Sequence, residues 1–108
     1  SRVFRGIMDA ISYNGVQEPL GSHSYILGVD LARIQDFSVI IVIDVTARPF
    51  EVVAMDRFNK IDWKTQISRI KTLALKYHAD LVIVDETGVG DPVTQQLRNE
   101  LSGITLLA

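Results

Sequence analysis

Apolar and polar positions along the chain change period in an ordered way. Tyr25-Ile26-Leu27-Gly28-Val29-Asp30 is a short apolar run closed by a carboxylate. Ser38 to Val45 is dominated by β-branched residues (Val39, Ile40, Ile41, Val42, Ile43), the composition of a strand buried on both faces. The turn Thr46-Ala47-Arg48-Pro49 separates it from Glu51 to Phe58, and so short a gap predicts a hairpin. The period then switches. Trp63, Ile67, Ile70, Ala74 and Tyr77 recur at steps of four and three, one face of an α-helix, with Asp62 placed to cap its first turn. Leu81-Val82-Ile83-Val84-Asp85 is a second apolar run ending in a carboxylate. Asp91-Pro92 opens a second helix with the stripe Val93, Leu97 and Leu101, which Gly103 can terminate. Ile104 to Leu107 reads as a last strand. The predicted order is β-β-β-α-β-α-β. Strand-helix-strand connections demand parallel neighbours and the hairpin demands antiparallel ones, so an α/β fold with a mixed sheet and flanking helices satisfies both.

Residues 1–24 lack this regularity. Turn residues at Asn14-Gly15 and Pro19-Leu20-Gly21-Ser22 make them read as an arm or linker, leaving 25–108 as the domain. The start at Ser1, with no basic and apolar leader after it, suggests a piece of something longer. At 108 residues there is room for one domain. The longest unbroken apolar run, Val39 to Ile43, has five residues where a membrane-spanning helix needs about 20, so no such span is expected. A net charge of −2 does not by itself announce a polyanion partner, and the lack of cysteine removes disulfides and thiolate zinc sites, which suits a reducing cytosol.

The chemistry is carried by the two strand-end carboxylates. If their strands are parallel neighbours, Asp30 and Asp85 emerge at the same end of the sheet, about 4.8 Å apart by strand spacing. Two hard oxygen donors would then reach one divalent ion, or two ions bridged at roughly 3.5–4 Å. The alternative is that both cap turns, Asp30 beside Ala32-Arg33 and Asp85 beside Thr87-Gly88. Asp36 is a possible third ligand or an Asx-turn residue. Glu86, next to Asp85, should point to the opposite face, and Asp44 and Asp56 read as water-facing strand positions.

Charge is uneven. Arg57, Lys60, Lys64, Arg69, Lys71 and Lys76 face only Asp62 over that stretch, a basic face for phosphates or the solvated side of a helix. Arg33 beside Asp30 could steer a phosphodiester or pair with Asp36. The segment from Thr87 to Pro92 lacks the lysine of a P-loop and reads as a tight turn or a weak phosphate cradle. His23 and His78 show no metal-ligand spacing, and no serine elbow or cysteine nucleophile is present.

Taken together, Tyr25 to Arg33 with Asp36-Phe37-Ser38, and Leu81 to Gly90, resemble the first and second motifs of the C-terminal nuclease domain of the terminase large subunit of tailed bacteriophages, within the ribonuclease H-like superfamily. Val3-Phe4-Arg5-Gly6 looks like the segment that follows the packaging ATPase there. The resemblance implies a five-stranded sheet of order 3-2-1-4-5 with strand 2 antiparallel. It implies an endonuclease that cuts concatemeric DNA, with Asp30 and Asp85 as catalytic metal ligands, Asp36 as a further candidate, and Arg33, Lys60 and Lys64 as candidate phosphate contacts. The implied cofactor is a pair of Mg²⁺ or Mn²⁺ ions bridged by Asp30, with Asp85 fixing one of them. One ion lowers the pKa of the attacking water and the other stabilises the leaving 3′ oxygen. The all-oxygen donor set suits these ions rather than zinc. Implied partners are double-stranded DNA, the ATPase domain, the portal and the small terminase subunit, in the cytoplasm of an infected or lysogenic bacterium. Family members draw a third acid from a helix beyond the fifth strand. The sequence ends at Ala108 before any such helix, so weak or no activity is expected of these residues alone. A resolvase or transposase relative is the alternative on the same fold. An actin- or sugar-kinase-type nucleotide-binding domain shares a strand like Gly28-Val29-Asp30, but Ala32-Arg33-Ile34 stands where its phosphate loop would be. A non-catalytic module, its acids only capping turns, is the third.

Overall fold

The computed structural model describes Gly6 and residues 11–31, 37–59, 62–85 and 91–108. Six strands form one mixed sheet: β1 (Ile11–Tyr13), β2 (Tyr25–Asp30), β3 (Ser38–Asp44), β4 (Phe50–Phe58), β5 (Leu81–Asp85) and β6 (Thr105–Leu107), in the order β1-β4-β3-β2-β5-β6. The hairpin turn makes β3 and β4 antiparallel, with a register shift between Val42 and Ile43. β2 pairs antiparallel with β3 and parallel with β5, and β5 pairs parallel with β6. The order 3-2-1-4-5 is therefore present as β4-β3-β2-β5-β6.

The sheet has six strands where five were expected. The additional strand, β1, pairs parallel with β4 from Ile11↔Phe50 to Tyr13↔Val52. Three residues are too short to display a period, so nothing in the pattern marks them as a strand. The segment after β1 is tied down as well. The Gln17 amide donates to the Val53 carbonyl (2.8 Å), and the Tyr77 hydroxyl donates to the Gln17 carbonyl (2.8 Å). The Leu20 amide donates to the Tyr25 hydroxyl (2.9 Å), and Lys76 Nζ lies 3.0 Å from Glu18 Oε2. Part of the stretch read as an arm is thus an edge strand and its strap.

Two helices, α1 (Trp63–Lys76) and α2 (Asp91–Glu100), connect the parallel strands. Asp62 Oδ1 accepts from the Thr65 amide at 2.8 Å, the expected N-cap. The apolar stripe of α1 is buried at Ile67, Ile70, Ala74 and Tyr77, and that of α2 at Leu97 and Leu101. α1 ends before His78, which takes a left-handed φ of 52°, and the base in its last turn is Lys76. Gly103, at φ 89°, supplies the reversal after α2.

Alternation along the strands sorts the core into two clusters. Leu27, Val29, Ile40, Val42, Val82 and Val84 face the helices and pack with Ile70, Ala74, Leu97 and Leu101. Ile26, Ile41, Ile43, Val52 and Ile83 form a second cluster on the opposite face, with Val39 against it. Two acids expected to face water do not. Asp56 points to the helix side, where Arg69 of α1 grips both its oxygens at 2.7 Å. Asp44 Oδ2 lies 2.6 Å from His23 Nδ1, and its Oδ1 accepts from the Thr46 amide at 3.0 Å.

Candidate active site

The two strand-end aspartates are brought together by register. β2 and β5 run parallel from Ile26↔Leu81 to Asp30↔Asp85, so both carboxylates finish their strands at the same level. Paired positions on adjacent strands put their side chains on one face, with strand axes about 4.8 Å apart. The row continues outward, since Asp30 is also opposite Val39 and Val39 is opposite Arg57. Val39 packs on the second cluster, which fixes the face of the whole row: Asp85, Asp30, Val39 and Arg57 stand on the side of the sheet away from α1 and α2. The apolar runs behind the acids are what hold this geometry, because Val29 and Val84 are buried against the helices and a one-residue slip would reverse every side chain.

Asp30 is exposed at the strand end. Even so, partial desolvation raises its carboxyl above the ordinary aspartate value, and the negative charge of Asp85 beside it adds to the rise. Bringing a divalent cation to this pair would favour the ionised form. The donor set fits a hard cation, two carboxylates with no competing soft ligand. Among the described residues no group of three or more histidine, cysteine or acidic side chains could hold a metal, so the described part of the site offers two candidate ligands. Both histidines lie at the other end of the sheet. His23 precedes β2, and His78 follows α1 before β5.

The remaining expected residues divide. Asp36, Arg33, Lys60, Glu86 and the 87–90 turn lie outside the described residues. Lys64 sits in the first turn of α1, in the helical layer, lining a cleft with Ser68, Lys71, Gln96 and Glu100. It is at the Asp30 end of the molecule, since the neighbouring Gln66 accepts from the Ser38 hydroxyl at the start of β3 (3.1 Å). It is not on the carboxylate face. Arg57, by contrast, shares the acids' row. In the sequence it is one base among six, and only the hairpin register, with its shift at Val42/Ile43, shows which face it takes.

Comparison with known proteins agrees with this fold. The profile of the family described as "Terminase RNaseH-like domain" matches residues 27–108. The terminase large subunit of Thermus virus P23-45 is 33% identical over 82 residues, which is 76% of this chain and 16% of that protein. The large terminase nuclease of the thermophilic phage G20c, solved with bound magnesium, superposes with a TM-score of 0.74 at 29% identity, covering 97% of this chain and 59% of that one. The same nuclease solved with bound zinc gives 0.73 at 28%, covering 98% and 65%. The chain thus spans about a sixth of the curated relative's length and somewhat over half of the crystallised nuclease. Of the families that the residues left open, the match selects one: the chain belongs to the terminase RNaseH-like domain family.

Proposed function

We propose that this chain is the metal-binding part of a phage terminase endonuclease, with Asp30 and Asp85 as its first two metal ligands and the phosphodiester backbone of double-stranded DNA as its substrate. The observation that carries the proposal is the register pair Asp30↔Asp85 on adjacent parallel strands. Membership of the family and the metals bound by the G20c nuclease support it.

Each element of this chain has a definable task. β2 and β5 hold the two carboxylates at fixed separation, so little order is lost when they bind a cation. The like charges of the pair disfavour a bare site and favour one that holds a divalent ion. A divalent ion held there would polarise the phosphate and lower the pKa of a bound water. Magnesium or manganese is the proposed ion because both donors are hard oxygens. The G20c nuclease has also been solved with bound zinc and with bound cobalt, so the choice of ion rests here on the oxygen donors alone. Asp36 is a further proposed ligand and Lys64, Arg33 and Lys60 further phosphate contacts. The packaging ATPase, portal and small terminase subunit are proposed partners of the longer protein, in the bacterial cytoplasm.

Calorimetric titration with Mn²⁺ tests the assignment. Asp30→Asn and Asp85→Asn should each weaken binding by at least about tenfold, the loss already usual when only a ligand's outer-shell partner is removed, with the circular dichroism spectrum unchanged. Equal Mn²⁺ affinity in wild type and both variants would remove the two aspartates from the site.

A further inference from the structure

We infer that Arg57, stacked on Phe37, is a positioning residue that grips a DNA phosphate beside the carboxylate pair; this rests on the nuclease reading above. Arg57 lies two strands from Asp30 in the same row, roughly 10 Å away by strand spacing. That is about three base-pair rises of 3.4 Å measured along the duplex axis, a span that one bound backbone covers. A divalent ion between the carboxylates would draw one phosphate, and a backbone extending along the row needs a further cation on the same face to hold the phosphates beyond it.

The described cations narrow the choice. Arg69 is committed to Asp56, Lys71 to Glu100 and Lys76 to Glu18, while Arg98 donates to the Leu106 carbonyl. Arg48 lies over Phe50, at the hairpin end away from the acids. Lys64 is in the helical layer. Arg57 is exposed, and among the described residues no carboxylate pairs with it. Its guanidinium carbon instead sits 3.9 Å from the centre of the Phe37 ring. Such stacking holds the guanidinium plane while leaving its N–H groups free for a phosphate's two oxygens.

The surroundings suit a backbone passing over them. β1 pairs with β4 only at Phe50–Val52, so among the described residues no strand covers the outer edge of β4 from Met55 to Phe58. Phe37 and Met55 are 47% and 46% exposed, an apolar flank against which deoxyribose can lie. Arg57 makes a contact of charge and shape, not of base sequence.

Fluorescence anisotropy of labelled duplexes in calcium, over a potassium chloride series, reads this contact. Arg57→Ala should weaken binding about tenfold, equally for unrelated sequences, and lower the slope of log Kd against log salt by about 1. Arg57→Lys should keep the slope with lower affinity. Phe37→Leu, which keeps the charge and loses the stack, should lose about threefold. Thermal melts check that each variant folds. An unchanged affinity and slope in Arg57→Ala overturns the inference, as does a wild-type chain that binds no duplex. Mn²⁺ titration without DNA separates the two levels. If Asp30→Asn loses the ion while Arg57→Ala leaves DNA binding unchanged, Arg57 is wrong and the nuclease reading stands. If Asp30→Asn leaves Mn²⁺ affinity unchanged, the nuclease reading has failed by itself.

Discussion

At the scale of the residue, the aspartates of the described strands meet three fates. Asp30 and Asp85 end strands and meet across a parallel pair. Asp56 is neutralised by Arg69, and Asp44 is built into a hydrogen-bonded corner with His23 and Thr46. Burial alone would raise the Asp44 carboxyl, but hydrogen bonds from Thr46 and His23 outweigh it and hold it below its ordinary 3.8. Because the folded value is the lower one, ionised Asp44 stabilises the fold above pH 3.8, and that contribution is lost as the pH falls through the folded value. Asp44→Ala should therefore cost on the order of 1 kcal/mol at neutral pH, with the difference from wild type shrinking in acid, as urea melts at several pH values will show. Asp30 has the opposite sign, since its carboxyl is raised and its ionisation opposes folding as the pH climbs. In metal-free buffer Asp30→Asn should melt no lower than wild type at pH 7, and its exposure limits any gain to about 0.5 kcal/mol. A clear loss of stability would mean that the Asp30 carboxylate is held by favourable partners. The fates of Asp30 and Asp85 are legible in sequence because each closes an apolar run and the crossover rules make those two strands parallel. Those of Asp44 and Asp56 are not, because their partners His23 and Arg69 lie 21 and 13 residues away and only the folded register brings them close.

At the scale of the element, period is what makes sequence readable. The strand runs 25–30 and 81–85 and the helical stripe from Trp63 to Tyr77 are long enough to display it, and the structure forms them there. β1 is three residues long and has no period to show. It is defined by what it docks on, and the strap behind it is secured by aromatic hydroxyls. Tyr77 packs edge-on against Tyr25 at 5.2 Å while reaching the Gln17 carbonyl. Tyr77→Phe keeps the ring and removes the hydroxyl, so it should cost about 1 kcal/mol and speed amide exchange at Gln17 more than in β2 or β5. Uniform acceleration across all strands would mean instead that the strap and the sheet open as one unit.

At the scale of the whole molecule, the sheet has two working ends. At one end the strap, His23 and the Tyr25–Tyr77 pair close the fold around the starts of β2 and β5. At the other, the ends of β2 and β5 present the carboxylates on the face away from α1 and α2, and β3 and β4 carry the row on to Arg57. That division puts the strap's hydrogen bonds at one end of the sheet and the proposed metal ligands at the other. The order of the central five strands was legible because hairpin and crossover rules leave few arrangements; the position of Arg57 was not, because it depends on a register shift within β4. Crystals of the chain soaked in Mn²⁺ and measured at the manganese edge put the site to its most direct test. An anomalous peak bound by oxygens of both Asp30 and Asp85 at about 2.0–2.2 Å, and absent from Asp85→Asn crystals, is the expected result. Manganese bound elsewhere, with the two aspartates facing only solvent, would contradict it.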